Sequence, residues 1–285
     1  MLKQIGFELY KMSRRPRTYL GYSAFLLINI CTMLGAKYGH MANEFANPAK
    51  STGFGVVGSP VNAEFMSWLV VGSPFASMIL VTFMPFFVCL VFGEVVGGEA
   101  SEGTLRTVLA RPIGRTAFLT SKFIACLIYS LSLVLFLGAS AYLIGLIFFG
   151  RGGLLSTGTI EHPMLTWYSE GAGLARLALG YLLACAGAVT VGMLAFFISN
   201  WLHNPLGAVG GAIMLLFTAG IIGLIPYFGP IKPYLFSTHL LVGQWAFADP
   251  IPWHEIAFSL KCLGVYVTAL FAVSLAIFGR KDVLA

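Results

Sequence analysis

The sequence predicts an all-α integral membrane protein with six transmembrane helices, and three observations carry that prediction. Of its 285 residues, 58% are hydrophobic and only 10% are charged, whereas a soluble domain carries about 25% charged residues. Six runs without Asp, Glu, Lys or Arg approach the roughly 20 residues that a helix needs to cross a bilayer. They cover residues 18–36, 65–93, 123–150, 177–202, 204–231 and 262–279. The runs are continuous, whereas a membrane β-barrel shows short segments of alternating hydrophobicity.

The last run extends back to Ile256, giving a span over 256–279, if the long side chain of Lys261 reaches the interface. The five cysteines all fall inside apolar runs, which predicts small buried side chains rather than a disulfide framework. These are Cys31, Cys89, Cys126, Cys185 and Cys262. The sequence contains no Cys-x-x-Cys pair or His-rich tract, so we expect no metal and no cofactor in this chain.

Basic residues are distributed unequally between the two sides of the predicted spans. With the N-terminus on the inner side, eleven of the 17 Lys and Arg residues are inner ones: Lys3, Lys11, Arg14, Arg15, Arg17, Arg106, Arg111, Arg115, Lys122, Arg280 and Lys281. The other six are balanced by acidic residues on the outer side. The positive-inside rule therefore predicts that both termini are cytoplasmic. Topology accounts for the net charge of +6, and no nucleic-acid partner is needed.

The pattern of apolar and charged positions in residues 1–17 predicts an amphipathic helix that lies in the inner membrane interface. Its apolar side chains lie near one face: Leu2, Ile5, Leu9 and Met12. Its charged side chains lie elsewhere: Lys3, Glu8 and Lys11. Arg14, Arg15 and Arg17 are then expected near lipid phosphates, and Pro16 separates this helix from the first span. A signal peptide is the alternative, but the following apolar run is long and no clean small-residue cleavage site follows it.

The segments predicted on the outer side are expected to contain ordered structure. Residues 37–64 and 151–176 are rich in Gly, Ser and Pro, and we expect them to be partly ordered. After the fifth run, five prolines surround an apolar stretch, 234–247, that is too short to cross a bilayer. This pattern predicts an interfacial or re-entrant element before the sixth span. Trp245 and Trp253 suit the level of the lipid headgroups.

The loop 94–122, between the second and third spans, concentrates charge between two apolar runs. Ser101 or Thr104 can cap a short helix in this loop, and Arg111-Pro112 ends it because the residue before proline avoids helical geometry. Leu105, Val108 and Leu109 then form an apolar ridge flanked by charges. A helix this short is marginal in water, so the ridge needs a partner surface. The simpler alternative is a solvated loop whose basic side chains reach the interface.

The residues of this loop follow the pattern E-x-x-x-G-T-L-x-x-x-L-x-x-P-x-x-R-x-x-F-L-x-x-K. The pattern consists of Glu99, Gly103, Thr104, Leu105, Leu109, Pro112, Arg115, Phe118, Leu119 and Lys122. It resembles the corresponding loop of type-2 ABC transporter permeases, the membrane subunits of ABC exporters. The resemblance extends to the N-terminal interfacial helix, the six spans and the outer re-entrant segment. Ala100 and Ser101 depart from the family, whose members often carry more charge directly after the first Glu.

The resemblance implies that this loop is a cytoplasmic coupling helix that docks in a groove of a separate ATPase subunit. The residues expected to take part in coupling are Glu99, Glu102, Gly103, Thr104, Leu105, Arg106, Val108, Leu109, Pro112, Arg115 and Lys122. Among them Glu99, Glu102, Arg106 and Arg115 are expected to form rim pairs. Two permease chains, as a homodimer, and two ATPases are expected in a bacterial cytoplasmic membrane. No G-x-x-x-x-G-K-[ST] loop occurs, so ATP and Mg²⁺ are expected in the partner.

Two other functional classes stay open at this point. One is a membrane anchor of an ABC-type complex used for envelope remodelling or signalling. The other is an intramembrane enzyme. His254-Glu255 begins like the zinc motif H-E-x-x-H, but Phe258 stands where the second His belongs. Glu99 and Glu102 faintly resemble the paired glutamates of membrane proteases, yet they are not adjacent.

Small residues, prolines and polar residues within the apolar runs can serve either the packing of the helices or a function. Gly180, Ala184, Ala188 and Gly192 recur every four residues, which favours close packing within one bundle over a dimer seam. Pro74 and Pro85 predict kinks in the second span. The polar residues along the spans carry no charge, which argues against a proton relay; they include Asn29, Ser67, Ser73, Ser77 and Thr82. An interior of this kind favours a lipid-like, peptide or hydrophobic substrate.

Overall fold

The computed structural model describes residues 2–38, 63–71, 82–103, 114–158 and 163–280. Its α-helices are α1 (Leu2–Ser13), α2 (Pro16–Tyr38), α3 (Ala63–Val71), α4 (Met84–Ser101), α5 (Arg115–Phe149), α6 (Glu170–Leu202), α7 (Pro205–Leu224) and α8 (Trp253–Arg280). An antiparallel hairpin of β1 (Leu154–Gly158) and β2 (Pro163–Tyr168) joins α5 to α6. Short 3-10 helices cover Pro226–Phe228, Lys232–Tyr234, Phe236–His239 and Val242–Phe247.

Six helices in the described ranges are long and apolar enough to cross a membrane: α2, α4, α5, α6, α7 and α8. The prediction of a mostly helical, six-span membrane protein is therefore confirmed at this level. α6 and α4 form the interior of the bundle, with 72% and 67% of their apolar windows buried. The corresponding fractions in α2, α7 and α8 are 28%, 28% and 17%. Because these three outer helices are apolar on their exposed sides as well, they suit contact with lipid.

The helices of the second and third spans extend beyond the predicted apolar runs. α4 continues to Ser101 rather than ending at 93. α5 begins at Arg115, close to Thr116, where the sequence predicts the start of a helix that continues through Lys122 into the third span. The connection between them is therefore 102–114, shorter than the predicted loop 94–122. The extra turns of α4 carry Glu94 and Glu99, which stay helical because each finds a basic partner in the same chain. Pro74 lies outside the described residues.

The segment after the fifth span differs in detail from its prediction. α7 ends at Leu224 rather than at 231, because Ile225 turns to extended geometry before Pro226. The expected single interfacial helix is a succession of short 3-10 helices. Its second half, Val242–Phe247, is largely buried and packs against α6. The segment 151–176 is partly ordered as predicted, since it contains the hairpin and the first turns of α6.

Small residues on α6 allow its neighbours to approach closely. A Cβ added at Gly243 would lie 2.6 Å from the Gly180 carbonyl oxygen, so the two backbones touch directly. A Cβ at Gly192 would lie 2.7 Å from the Val88 side chain of α4. These contacts confirm, for Gly180 and Gly192, that the four-residue spacing serves packing within the bundle.

Polar groups in the spans also hold helices together. Asn29, fully buried in α2, donates to the Leu137 carbonyl at 3.3 Å and to Ser140 Oγ at 2.8 Å, both on α5. The Tyr181 hydroxyl of α6 donates to the Ser67 carbonyl of α3 at 3.0 Å. Ser73 and Ser77 lie outside the described residues. These hydrogen bonds to backbone carbonyls pair the Asn29 amide nitrogen and the Tyr181 hydroxyl within the protein, which gives both side chains a structural role.

Arg176 organises the face of the bundle opposite the N-terminus. One of its guanidinium nitrogens, Nη1, donates to the carbonyl oxygens of Ala246 at 2.8 Å and Ala248 at 2.7 Å. The other, Nη2, lies 3.6 Å from Asp249 Oδ1, and the guanidinium stacks over the ring of Tyr168. A single side chain of α6 therefore joins the hairpin to the 3-10 segment.

We expect the substitution Arg176→Met to loosen this face without unfolding the bundle. It removes two charge-assisted hydrogen bonds, each worth about 1.5–3 kcal/mol, and leaves two carbonyls of the buried segment without that donor. Amide hydrogen exchange in residues 242–248 should accelerate at least about tenfold. Arg151→Met is the matched control, because the Arg151 side chain is 68% exposed and lies 3.9 Å from Glu170. Equal exchange in the two variants would contradict this assignment.

Candidate functional site: a charged cluster beside the connection between the second and third spans

Three helices meet at the face of the bundle that carries the N-terminus. α4 ends there, α5 begins there, and α1 lies against both α5 and α2. The connection 102–114 leaves from this meeting point and returns to it. Each of the three helices contributes charge: α1 brings the buried Glu8 and the half-buried Lys11, α4 brings the buried Glu99, and α5 brings the buried Lys122. We call these four residues the charged cluster.

Lys122 is the centre of the charged cluster. Its side chain is completely buried, although it carries an ammonium group. Nζ lies 2.8 Å from Glu99 Oε1 and 3.2 Å from Glu8 Oε2, and it donates to the Val95 carbonyl at 2.9 Å. An ammonium has three hydrogens to donate, and three acceptors surround it here. It also lies 4.9 Å from the centre of the Phe118 ring, a cation–π distance.

Lys11 joins the same carboxylate from the other side. Its ammonium donates to Glu99 Oε1, so one carboxylate oxygen links α1 and α5 to the end of α4. The four formal charges of the cluster cancel. Neutrality matters because a buried charge without a partner costs several kcal/mol, whereas a satisfied group of charges costs far less. The cluster therefore specifies how the three helices dock more than it stabilises the fold.

A second ion pair continues along the same face. Glu94 Oε1 lies 3.1 Å from Arg15 Nη1 and 3.3 Å from Arg17 Nη1. Both arginines belong to the corner between α1 and α2, and Glu94 lies about one helical turn before Glu99. α1 and its corner thus touch the last two turns of α4 through two separate acidic residues. A displacement of that end of α4 must move α1 or break these pairs.

The predicted coupling residues divide into three groups in the structure. Glu99 and Lys122 are buried in the charged cluster. Glu102 and Gly103 are exposed at the end of α4, where Gly103 adopts a positive φ of 71°. Arg115 is exposed at the start of α5, and its guanidinium donates to the Gly279 carbonyl of α8 at 3.2 Å. The others lie outside the described residues: Thr104, Leu105, Arg106, Val108, Leu109 and Pro112.

The expectation that Glu99 forms an exposed rim pair is wrong. The side chain is 2% exposed and bonds to lysines of its own chain, because α4 stays helical past Glu99 and packs under α1. The placement of Glu8 away from the packed face of α1 is also wrong. Glu8 is 7% exposed and faces α5 together with Met12. Its spacing from Ile5 and Met12, three and four residues, is the signal that could have placed it on that face.

The three corner arginines, expected near lipid phosphates, have different surroundings in the structure. Arg15 and Arg17 face Glu94 of α4, so their charges are engaged by the protein. Arg14 is exposed and its guanidinium stacks on Tyr10. Nothing in the sequence pairs residues 15 and 94 directly, because the two helices meet only in the tertiary structure.

The zinc interpretation of His254-Glu255 finds no support in the geometry. The His254 side chain is 94% exposed at the start of α8. Phe258 takes the place of the second histidine of the motif. Within the described part of the chain, no three His, Cys, Asp or Glu side chains are grouped to hold a metal ion.

Comparison with known proteins identifies relatives but no activity. The profile of a family described as "Protein of unknown function (DUF2705)" matches residues 44–284. The "Uncharacterized protein YhcI" of Bacillus subtilis (strain 168) is 31% identical over 205 residues. That alignment covers 69% of this chain and 64% of the relative, so this chain corresponds to less than two thirds of the relative's length.

Proposed function

This chain belongs to the DUF2705 family of proteins of unknown function, and we propose from its residues that it is the permease subunit of an ATP-binding cassette exporter. In this role it moves a substrate across the membrane with energy from ATP that a separate ATPase subunit hydrolyses. The observation that carries the proposal is the junction around 102–114. A connection with the coupling pattern joins two spans, and the charged cluster ties both of its ends to α1.

The charged cluster supplies a mechanical argument for coupling. A force applied to 102–114 acts on the end of α4 and the beginning of α5, which Glu99 and Lys122 connect at 2.8 Å. Breaking that buried pair would leave charges without partners, at a cost of several kcal/mol. The two ends therefore move together, and α1 moves with them through Lys11 and Glu8. Movement of an ATPase would be passed to the interior helix α4 rather than absorbed in a loose loop.

The docking itself is assigned to the apolar ridge of Leu105, Val108 and Leu109. Buried apolar anchors carry most of the energy of such contacts, and exposed rim pairs contribute about 1 kcal/mol or less each. With Glu99 assigned to the interior, the rim consists of Glu102, Arg106 and Arg115. Gly103 ends α4 with its positive φ, as glycine commonly does at a helix C-terminus. Pro112 is assigned to the end of the ridge.

The remaining features of the proposal follow from the resemblance and the charge distribution. The complex contains two permease chains, as a homodimer, and two ATPases that bind ATP and Mg²⁺. Both termini lie in the cytoplasm, because the N-terminal face carries the excess of basic residues. The membrane is the bacterial cytoplasmic membrane. α1 is the interfacial helix, and the 3-10 segment after α7 is the outer re-entrant element. The chain itself is a transporter subunit without catalytic residues.

We expect Leu109→Asp to abolish ATP hydrolysis by the partner that co-purifies with the chain. The substitution places a charge in the apolar contact, where an unpaired carboxylate costs several kcal/mol. The measurement is a pull-down of the chain in mild detergent, followed by an ATPase assay on the captured material. Tyr227→Asp is the matched control, since Tyr227 is 85% exposed on the opposite face.

The outcomes separate the candidate functions. Loss of the ATPase with Leu109→Asp, but not with Tyr227→Asp, supports coupling through 102–114. Unchanged coupled hydrolysis in Leu109→Asp contradicts the docking assignment. A chain that purifies alone under all conditions contradicts the ABC assignment as a whole. An ATPase complex that moves no substrate in proteoliposomes would favour the membrane anchor for envelope remodelling or signalling.

A further inference from the structure

A groove lies on the N-terminal face between α1, α2 and α5. Its volume is about 360 Å³, and mostly apolar and aromatic side chains line it. They include Leu9 and Met12 of α1, Tyr19 and Tyr22 of α2, and Tyr129 and Phe136 of α5. Because α1 packs across the ends of two membrane-crossing helices, the groove lies at the level where lipid headgroups meet acyl chains.

Several hydroxyl groups inside the groove are engaged by the protein. Tyr22 Oη lies 2.5 Å from Ser132 Oγ, and Tyr129 Oη donates to the Thr18 carbonyl at 3.4 Å. Thr18 Oγ1 in turn donates to the Met12 carbonyl at 2.7 Å. The surfaces left for a ligand are mostly rings and hydrocarbon. A hydrocarbon chain fits such surfaces, whereas a polar solute would lose hydrogen bonds with water on entering.

The exposed charge of α1 and its corner has one sign. Lys3 and Arg14 are exposed there, and neither takes part in an ion pair among the described residues. Arg14 Nε and Nη2 donate to the Tyr10 hydroxyl at 3.1 and 2.8 Å, a contact that keeps the positive charge in place. Glu8, the acidic residue of α1, is buried against Lys122. Arg14 directly follows Ser13, which lines the groove. An anion at the membrane surface would therefore meet unopposed positive charge at this place.

We propose that the groove binds an acyl chain of an anionic phospholipid and that Arg14 holds its phosphate. The apolar lining selects a lipid over a free anion, and the exposed basic residues select an anionic headgroup over a neutral one. Met12 and Thr18 line this groove and also the small space beside Glu94 and Glu99. A bound lipid thus contacts α1 next to the charged cluster. The proposal does not depend on a transport function.

The test measures which lipids remain on the full chain after purification in detergent. Native mass spectrometry is used to compare retained phosphatidylglycerol with retained phosphatidylcholine. Each basic residue near a membrane surface contributes about 1 kcal/mol toward anionic lipid, so Arg14→Gln should lower the preference about fivefold. Ser13→Trp fills the groove and should remove retention of both lipids. Arg151→Gln, an equal loss of charge on the opposite face, should change neither value.

A second measurement covers the case in which Ser13→Trp disturbs folding. A phosphatidylglycerol with a photoreactive acyl chain is crosslinked to the unmodified protein, and the modified peptides are mapped. Labels within 9–22 and 129–136 are expected, and free glycerol phosphate should not compete with them. The proposal would be overturned by labels elsewhere or by competition from glycerol phosphate. It would also be overturned if Arg14→Gln left the preference for phosphatidylglycerol unchanged.

Discussion

Replacing Lys122 by methionine is expected to destabilise the protein by about 3–5 kcal/mol, the cost of removing one partner from a buried ion pair. Methionine keeps most of the side-chain volume, so the loss is electrostatic rather than a loss of packing. Glu8 and Glu99 would then share the single positive charge of Lys11, and one buried negative charge would lack compensation. The free energy of unfolding, measured by denaturant titration in detergent micelles, reports the effect.

A second substitution identifies the cause of that loss. Glu99→Gln in the Lys122→Met background restores neutrality between Glu8 and Lys11, so the double variant should be more stable than Lys122→Met alone. A double-mutant cycle then gives the coupling energy of the pair. Lys261→Met is the matched control, because Lys261 lies exposed on α8. If Lys122→Met costs no more than Lys261→Met, the charged cluster does not fix the docking of α1, α4 and α5.

Gly97→Ala is expected to disrupt the packing of α4 against α6 and the start of α7. The added Cβ would lie 2.6 Å from Ser199 Oγ and 3.0 Å from the backbone nitrogen of Pro205. Ser199 cannot move away without loss, because its hydroxyl donates to the Gly93 carbonyl at 2.5 Å and accepts from the Gly97 N–H at 2.7 Å. Overpacking of this kind costs about 1–3 kcal/mol.

The same substitution at an open position separates packing from helix propensity. Gly210 lies in α7 and has no atom within 4 Å of an added Cβ, so Gly210→Ala should be neutral or slightly stabilising. Thermal unfolding of both variants in the same detergent gives the comparison. Equal midpoints would show that α4 and α6 are not in contact at Gly97. Because α4 leads directly into 102–114, a loosened α4 is also expected to weaken any coupling through that connection.

Part of the candidate site could be predicted from the sequence. The pattern around 99–122 draws attention to Glu99 and Lys122, and the amphipathic pattern of residues 2–12 predicts α1. Their relationship could not be predicted, since Lys11 and Glu99 are 88 positions apart and no local rule pairs them. The prediction ended the second span at 93 because it equated the apolar run with the helix. Acidic residues paired with basic ones can continue a helix past its apolar part.

The sequence by itself determined the class of this protein and the number of its spans. Length and hydropathy are local properties, and a bilayer demands about 20 apolar residues for each crossing wherever they occur in the chain. Only the tertiary structure decided which charges are buried. The residues next to Glu8, Glu99 and Lys122 in the sequence do not indicate that these side chains are buried. Their burial depends on α1 lying across the ends of α4 and α5. Breaking an ion pair costs little in water and several kcal/mol in a dry interface, so the role of the pair is set by the helices that cover it.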